Sequence, residues 1–251
     1  MSRRSPELDN PLERLYNGFT EAAAAALDNR SRDRNETVRD LARDLLYPCL
    51  GTPSTIAAEV VASQLDPRNV TLEAEYYGEM DERKFYEVKP LLWLWRLFDM
   101  SPAGHNARLG LDFRRMLAAR VFRRCGSDVK IFENVTFSFG YNIDCGDRVT
   151  IHRNVLIDDR GEVEIGDDAS LSDYANVYTH SHDPLDPSRV TISRTVIGRG
   201  ARITYHSTVL AGVAVEEDAI LGSHAVATRE VRAHHIAVGL PAKSIRIKKR
   251  D

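Results

Sequence analysis

The chain has 251 residues, of which 43% are hydrophobic and 28% charged, with a formal net charge of −3. This composition belongs to a folded globular protein and excludes a disordered one, and the slightly acidic balance gives no general reason to expect nucleic acid as partner. Three cysteines, Cys49, Cys125 and Cys145, make neither a disulfide framework nor a Cys-x-x-Cys zinc pair, as expected for a reducing cytosol.

Met1 to Asn10 is charged and lacks an apolar core segment, so no signal peptide is expected and the location is read as cytoplasmic. Leu12 to Leu27, with its EAAAAAL run, predicts a helix by propensity. Val38, Leu41, Ala42 and Leu45 recur at helical spacing and predict a second helix, with Asn35 as its cap and Pro48, Gly51 and Pro53 ending it. Ser54 to Leu65 predicts a third helix that stops at Asp66-Pro67, while Thr71 to Pro90 is mixed and left unassigned. Leu91 to Phe98 (LLWLWRLF) is too short for a membrane span and reads as a buried segment. Interfacial membrane contact through Trp93 and Trp95 is the alternative. Asn106 to Arg124 carries six arginines spread over several sides of a helical wheel. It reads as a packed linker helix, some of whose arginines reach a partner subunit or an anionic ligand. Cys125-Gly126 closes this helical region, residues 1–125.

From Cys145 the pattern changes. Residues recur every six positions at Cys145, Ile151 and Ile157, at Ile165, Leu171 and Val177, and from Ile197 through Ile203, Val209, Val215 and Leu221 to Ala227. Gly follows the repeat-opening residue at Gly146, Gly166, Gly198 and Gly222. Small or β-branched residues such as Ala169, Ala175, Ala201 and Ala219 come four places after an opener. Neither a helix nor an alternating strand has period six, whereas a parallel β-helix built from triangular coils does. The opener points inward and stacks on its equivalents above and below, and Gly tolerates a close or positive-φ backbone. The register breaks at Asp159-Arg160-Gly161, a small bulged turn, and at His180 to Ser193, an inserted loop. An insertion in a solenoid is where function tends to sit. The domain reading is therefore helical 1–125, β-helix 126–240 with the inserted loop 180–193, and a basic tail 241–251.

Three motifs carry a resemblance: FSFGYNI at Phe137 to Ile143, YTHSHDPLDP beginning at Tyr178, and VGLPAKSIR at Val238 to Arg246. In this order they resemble the hexapeptide-repeat O-acetyltransferases, especially the galactoside and maltose acetyltransferase branch, over roughly Val129 to Arg246. The resemblance implies a left-handed β-helix, acetyl-CoA as acyl donor, no metal, and a homotrimer whose active sites lie between subunits. His182 falls on the family's catalytic histidine, with His180 as the competitor because Asp183 adds one residue after it. Asn142 falls on the acceptor-contacting asparagine, and Tyr141 and Asp158 are expected beside it on the substrate side. Gly222 and Ser223 fall where backbone amides meet pantetheine, Thr228 and Arg229 where its outer part passes, and Lys243 and Arg246 where nucleotide phosphates lie. Tyr205, at a position normally small, is placed against the cofactor, and Arg202 replaces an aromatic residue of the family. The maltose branch's short sugar-binding N-terminal module is not recognisable.

A neutral imidazole suits the removal of a proton from a hydroxyl attacking a thioester, with Asp183, Asp158 or a carbonyl fixing its tautomer. Cys145 opens a repeat and is read as core, not nucleophile. Two other classes stay open. One is a zinc hydro-lyase of the γ-carbonic anhydrase type, which would draw on His152, His180, His182 and His206. The other is a non-catalytic β-helical scaffold.

Overall fold

The computed structural model describes residues 10–48 and 55–248. Cys49, Gly51 and Pro53, nearly all of the Met1 to Asn10 segment and the last three residues of the basic tail lie outside that range.

The described residues within 1–72 and 89–117 form one compact unit, and those within 73–88 and from 118 onward form a second. Helices run over α1 (Asn10–Asp28), α2 (Arg34–Leu46), α3 (Ile56–Gln64), α4 (Glu82–Asp99) and α5 (Ala107–Val121). The cap of α2 is Asp33, whose side chain accepts the Glu36 amide at 3.1 Å. Asn35 therefore sits inside the first turn, which corrects the expected cap: the oxygen must precede the amide it serves by three residues. Thr55 caps α3 in the same way.

Pro90 lies inside α4 rather than at a boundary. Its missing N–H forfeits one helix bond, and burial of Phe85, Val88, Leu91 and Leu92 on either side of it outweighs that loss. The LLWLWRLF run belongs to this helix and is largely buried, with the Trp93 indole N–H donating to the Gln64 carbonyl at 2.8 Å. No described helix is long and apolar enough to cross a membrane.

In the first unit, Phe113 of α5 stacks on Phe98 at 4.2 Å and on Phe19 at 5.3 Å. Arg114 is buried there. It donates to Asp99 and to the Gly104 carbonyl, both at 2.6 Å. Four arginines of the 106–124 run are thus paired inside their own unit: Arg108 with Glu13, Arg114 with Asp99, Arg115 with Asp112, and Arg123 with Asp144 and Glu162.

The second unit contains the coil. Three parallel sheets run along it, and equivalent strands of successive turns pair in register. On the first sheet Cys125 aligns with Cys145, Cys145 with Ile165, Ile165 with Ile197 and Ile197 with Val215. The second stacks Ile131, Ile151, Leu171, Ile203 and Leu221, and the third Phe137, Ile157, Val177, Val209 and Ala227. Nearly all of these side chains are fully buried, each contributing about 1.5–3 kcal/mol by removal from water. Backbone amides bond to the next turn, as Gly146 N does to the Ile165 carbonyl at 2.8 Å.

The structure sharpens the sequence reading at three points. The stacked strands start one turn before the first repeat read at Cys145, at Arg124–Cys125, so Cys125 opens a coil instead of closing the helical region. The repeat-following glycines are required by close approach and not by positive φ: a Cβ on Gly166 or Gly198 would lie 2.6 Å from the amide nitrogen of the next turn. Positive φ falls instead at corner residues such as Arg148, Asn154, Asp168, Tyr174, His206 and His224. At the C-terminal end, Lys243–Ile247 is no free tail but a strand antiparallel to His235–Val238.

Candidate active site

The insertion is a two-stranded arm. His180–His182 pairs antiparallel with Val190–Ile192, aligning His180 with Ile192 and His182 with Val190. The root of the arm is closed by Ser193 N donating to the Thr179 carbonyl at 2.8 Å. Asp183 turns its tip, accepting the amides of Leu185 and Asp186 at 2.8 and 3.1 Å. It therefore serves the turn and holds neither imidazole.

Each histidine has its Nδ1 engaged and differs in what engages it. Nδ1 of His180, half-buried, lies 2.6 Å from Oδ2 of Asp158. Nδ1 of His182, exposed, lies 2.7 Å from the Pro187 carbonyl. A carbonyl oxygen only accepts, so the neutral His182 ring carries its proton on Nδ1 and leaves Nε2 with a free lone pair. Among the described residues neither Nε2 has a hydrogen-bond partner. The two rings are 5.2 Å apart and nearly perpendicular, at 87°. Both sit where alternation along one strand puts them, on one side of the arm.

Asp158 belongs to the prism wall. It is buried, and besides His180 it accepts Thr179 N at 3.1 Å and Ser138 Oγ at 3.2 Å. The next residue, Asp159, organises the FSFGYNI segment. Fully buried, it accepts the amides of Phe139 at 2.8 Å and Asn142 at 3.4 Å, and burial pushes its carboxyl up to about 7. The Asn142 amide nitrogen donates to the Asp159 carbonyl at 3.0 Å. Tyr141 stacks on Phe139 and its hydroxyl accepts Asp81 N at 3.0 Å, so both residues are tied into the wall. Arg160 pairs with Glu79 at 2.6 Å and lies over the Tyr77 ring. Sequence reasoning read Asp159 only as part of a bulged turn and did not name Ser138, although a residue about one turn away in sequence is a vertical neighbour.

The remaining candidates fall in two groups. Arg229 and Lys243 line one pocket of about 410 Å³ together with Glu230, Arg232 and Ser244, and Arg246 is exposed on the last strand. Tyr205 makes edge contacts with Tyr174, His206 and His224, the last two stacked at 5.0 Å. Ser223 Oγ lies 3.4 Å from Thr204 Oγ1, Gly222 N donates to the Ala237 carbonyl, and Thr228 is exposed. Cys145 is buried, which raises its thiol well above the usual range. Among the described residues no three His, Cys, Asp or Glu side chains gather as metal ligands. His152 is stacked on Phe132, away from the arm histidines in the register.

No protein-family model matches the chain. Curated relatives do match, and those named here are all acetyltransferases. A probable acetyltransferase of Mycobacterium tuberculosis is 31% identical over 107 residues, which cover 40% of this chain and 36% of that protein. The galactoside O-acetyltransferase of Escherichia coli is 24% identical over 151 residues, 59% of this chain and 74% of that one. Among solved structures, a maltose O-acetyltransferase from Clostridium difficile superposes with a TM-score of 0.59 at 22% identity, over 68% of this chain and 90% of the other. A hexapeptide-repeat-containing acetyltransferase from Vibrio cholerae does so with the same score at 21% identity, over 72% and 96%. Its kin are hexapeptide-repeat acetyltransferases. That is the family its three motifs resemble, and its coil is the left-handed parallel β-helix of those neighbours. Solved hexapeptide-repeat acetyltransferases with this fold include the Vibrio protein in complex with acetyl-CoA, and a galactoside acetyltransferase in complex with coenzyme A at TM-score 0.54 and 21% identity, over 66% of this chain and 81% of that one. The chain spans about a third of the length of the mycobacterial relative.

Proposed function

We propose that the protein is an acetyl-CoA-dependent O-acetyltransferase that acylates a hydroxyl of a sugar or glycoconjugate, with His182 as general base. The observation that carries this reading is the Nδ1 contact of His182 with the Pro187 carbonyl, on an arm leaving a hexapeptide prism. It leaves Nε2 able to take the acceptor's proton as the hydroxyl oxygen attacks the thioester carbon. The new C–O bond forms, the C–S bond breaks, and the proton passes from His182 to the departing thiolate, giving the free thiol of CoA. A backbone N–H near the arm stabilises the transient oxyanion.

The names of the relatives and the coenzymes bound to the neighbours support acetyl-CoA as donor. For the donor, Lys243 and Arg246 serve the phosphates, Arg229 and Thr228 the outer pantetheine, and Gly222, Ser223 and Tyr205 its inner part. Asn142, Tyr141 and Asp158 form the acceptor side. Active sites shared between subunits of a homotrimer in the cytoplasm complete this reading.

A second reading makes His180 the base, favoured by its 2.6 Å contact with a buried carboxylate. The test is release of CoA thiol from acetyl-CoA against a panel of sugars and nucleotide sugars, for the wild type and for His182→Ala and His180→Ala. The proposal expects the larger loss in His182→Ala. Near-normal transfer in that variant would sink it, and a larger loss in His180→Ala would install the second reading.

A further inference from the structure

The reaction as written uses His182, sets Asp158 on the acceptor side, and leaves the contact between Asp158 and His180 without a task. We infer that this pair positions the base: Asp158 holds His180, and the edge-on ring of His180 fixes the plane in which His182 presents Nε2. The inference rests on His182 being the base.

Packing alone does not hold His182. It lies on the exposed side of an arm whose strands bury almost nothing, and its Nδ1 contact with Pro187 is a single attachment about which the ring can turn. The second contact is the His180 ring, 5.2 Å away at 87°. His180 does have a rigid support. Asp158 is only 4% exposed, and its oxygens are themselves fixed by Thr179 N and Ser138 Oγ. Thr179 adds a second tie at the same spot, its Oγ1 donating to the Asp158 carbonyl at 2.6 Å and accepting Gly161 N at 2.7 Å. Tyr178 flanks the other side of His180 edge-on at 6.4 Å. A continuous line of contacts thus runs from the buried wall through Asp158 and His180 to His182. A pair that merely anchored the arm would not need its ring set against the base, and its loss would lower the melting temperature without touching kcat.

Kinetics on the best acceptor of the panel, using the full chain, separate these roles. Asp158→Ala and His180→Ala should each lower kcat roughly 10- to 100-fold, the cost of a misplaced catalytic group. The KM for acetyl-CoA should stay within about twofold, since donor binding is not involved. The double variant should be no worse than either single one, because both remove the same support. Asp158→Asn keeps an oxygen to accept the Nδ1 proton and should lose less than Asp158→Ala. In ¹⁵N spectra of histidine-labelled protein, the two ring nitrogens of His182 should be widely separated in the wild type and converge in both alanine variants.

Unmoved His182 nitrogens in both variants overturn the inference, whatever the kinetics show. So do single losses that multiply, an unchanged kcat accompanied by a lower melting temperature, or a His180→Ala loss as deep as that of His182→Ala. Full transfer by His182→Ala would instead defeat the parent reading, and the spectra would still report whether the pair orders that ring.

Discussion

The prism and the arm are made by opposite means. In the prism every backbone amide of a strand bonds to the turn above or below, and the openers stack in buried columns. In the arm the strands bond only to each other, with hardly a buried side chain between them. Stability thus resides where the residues repeat, and the chemistry we propose sits where they do not. On the proposed reading, the arm's histidines take their rigidity from the wall, through the contact of His180 with Asp158.

That contrast can be broken or sharpened by measurement. The largest effect expected is on the arm and on turnover alone. His182→Ala should reduce kcat by roughly 10²- to 10⁴-fold, the usual worth of a general base, while its urea midpoint stays near that of the wild type. A comparable loss of stability would show that the arm is part of the fold's core.

The mirror-image variant is Ile151→Ala, which empties a place in a column between Ile131 and Leu171. It should cost about 2–5 kcal/mol in denaturant unfolding and leave KM values unchanged for the protein that remains folded. A cost below about 1 kcal/mol would mean that the coil collapses around the gap.

Asp159 tests the seam between the two regions. Its folded-state carboxyl is raised from 3.8 to about 7 by burial. The folded state therefore holds the proton more tightly than the unfolded one. The resulting stability is fully present below pH 3.8 and is lost as the pH rises through about 7. At about 1.4 kcal/mol per pH unit the span reaches up to about 4 kcal/mol. Asp159→Asn cannot titrate, so the stability of the wild type relative to this variant should fall between pH 4 and pH 7.5 in urea titrations. A flat difference would show that the backbone amides of Phe139, Gly140 and Asn142 keep this carboxyl in its ordinary range.

The smallest effect expected is at the arm's tip. Leu185 is 96% exposed, and Leu185→Ala should change unfolding by no more than about 0.5 kcal/mol. A larger change at high protein concentration, absent at low concentration, would mark the tip as a contact between copies of the chain.

The coil was legible because its physics is written in single residues. Ile151, Ile157, Leu171, Val177 and Ile203 each lie on a run of the six-residue step, and each occupies the inward position it predicts. The first turn escaped notice although Cys125, Ile131 and Phe137 keep the same six-residue step, because a cysteine and a phenylalanine do not announce an aliphatic column. The segment up to Pro90 was not assigned, because a proline inside a helix runs against the local rule about one amide and is outweighed only by burial along the whole helix. At the site, the histidines were visible as types and spacing. The reason they differ was not, since Asp158 and Pro187 act through positions that only folding brings near. The register offered one clue, because Ile157 pairs with Val177 and so places Asp158 beneath the root of the arm.

The closure at that root carries a further consequence. Ser193 N meets the Thr179 carbonyl and Thr195 Oγ1 the Tyr178 carbonyl, so the chain leaves and rejoins the wall within one bonded step. The winding of the next turn is then indifferent to how many residues lie between those two points. The arm is in effect a cassette. Its length and content can be exchanged without rewinding the spool beneath it, which makes it the natural place for one scaffold to acquire a different acceptor.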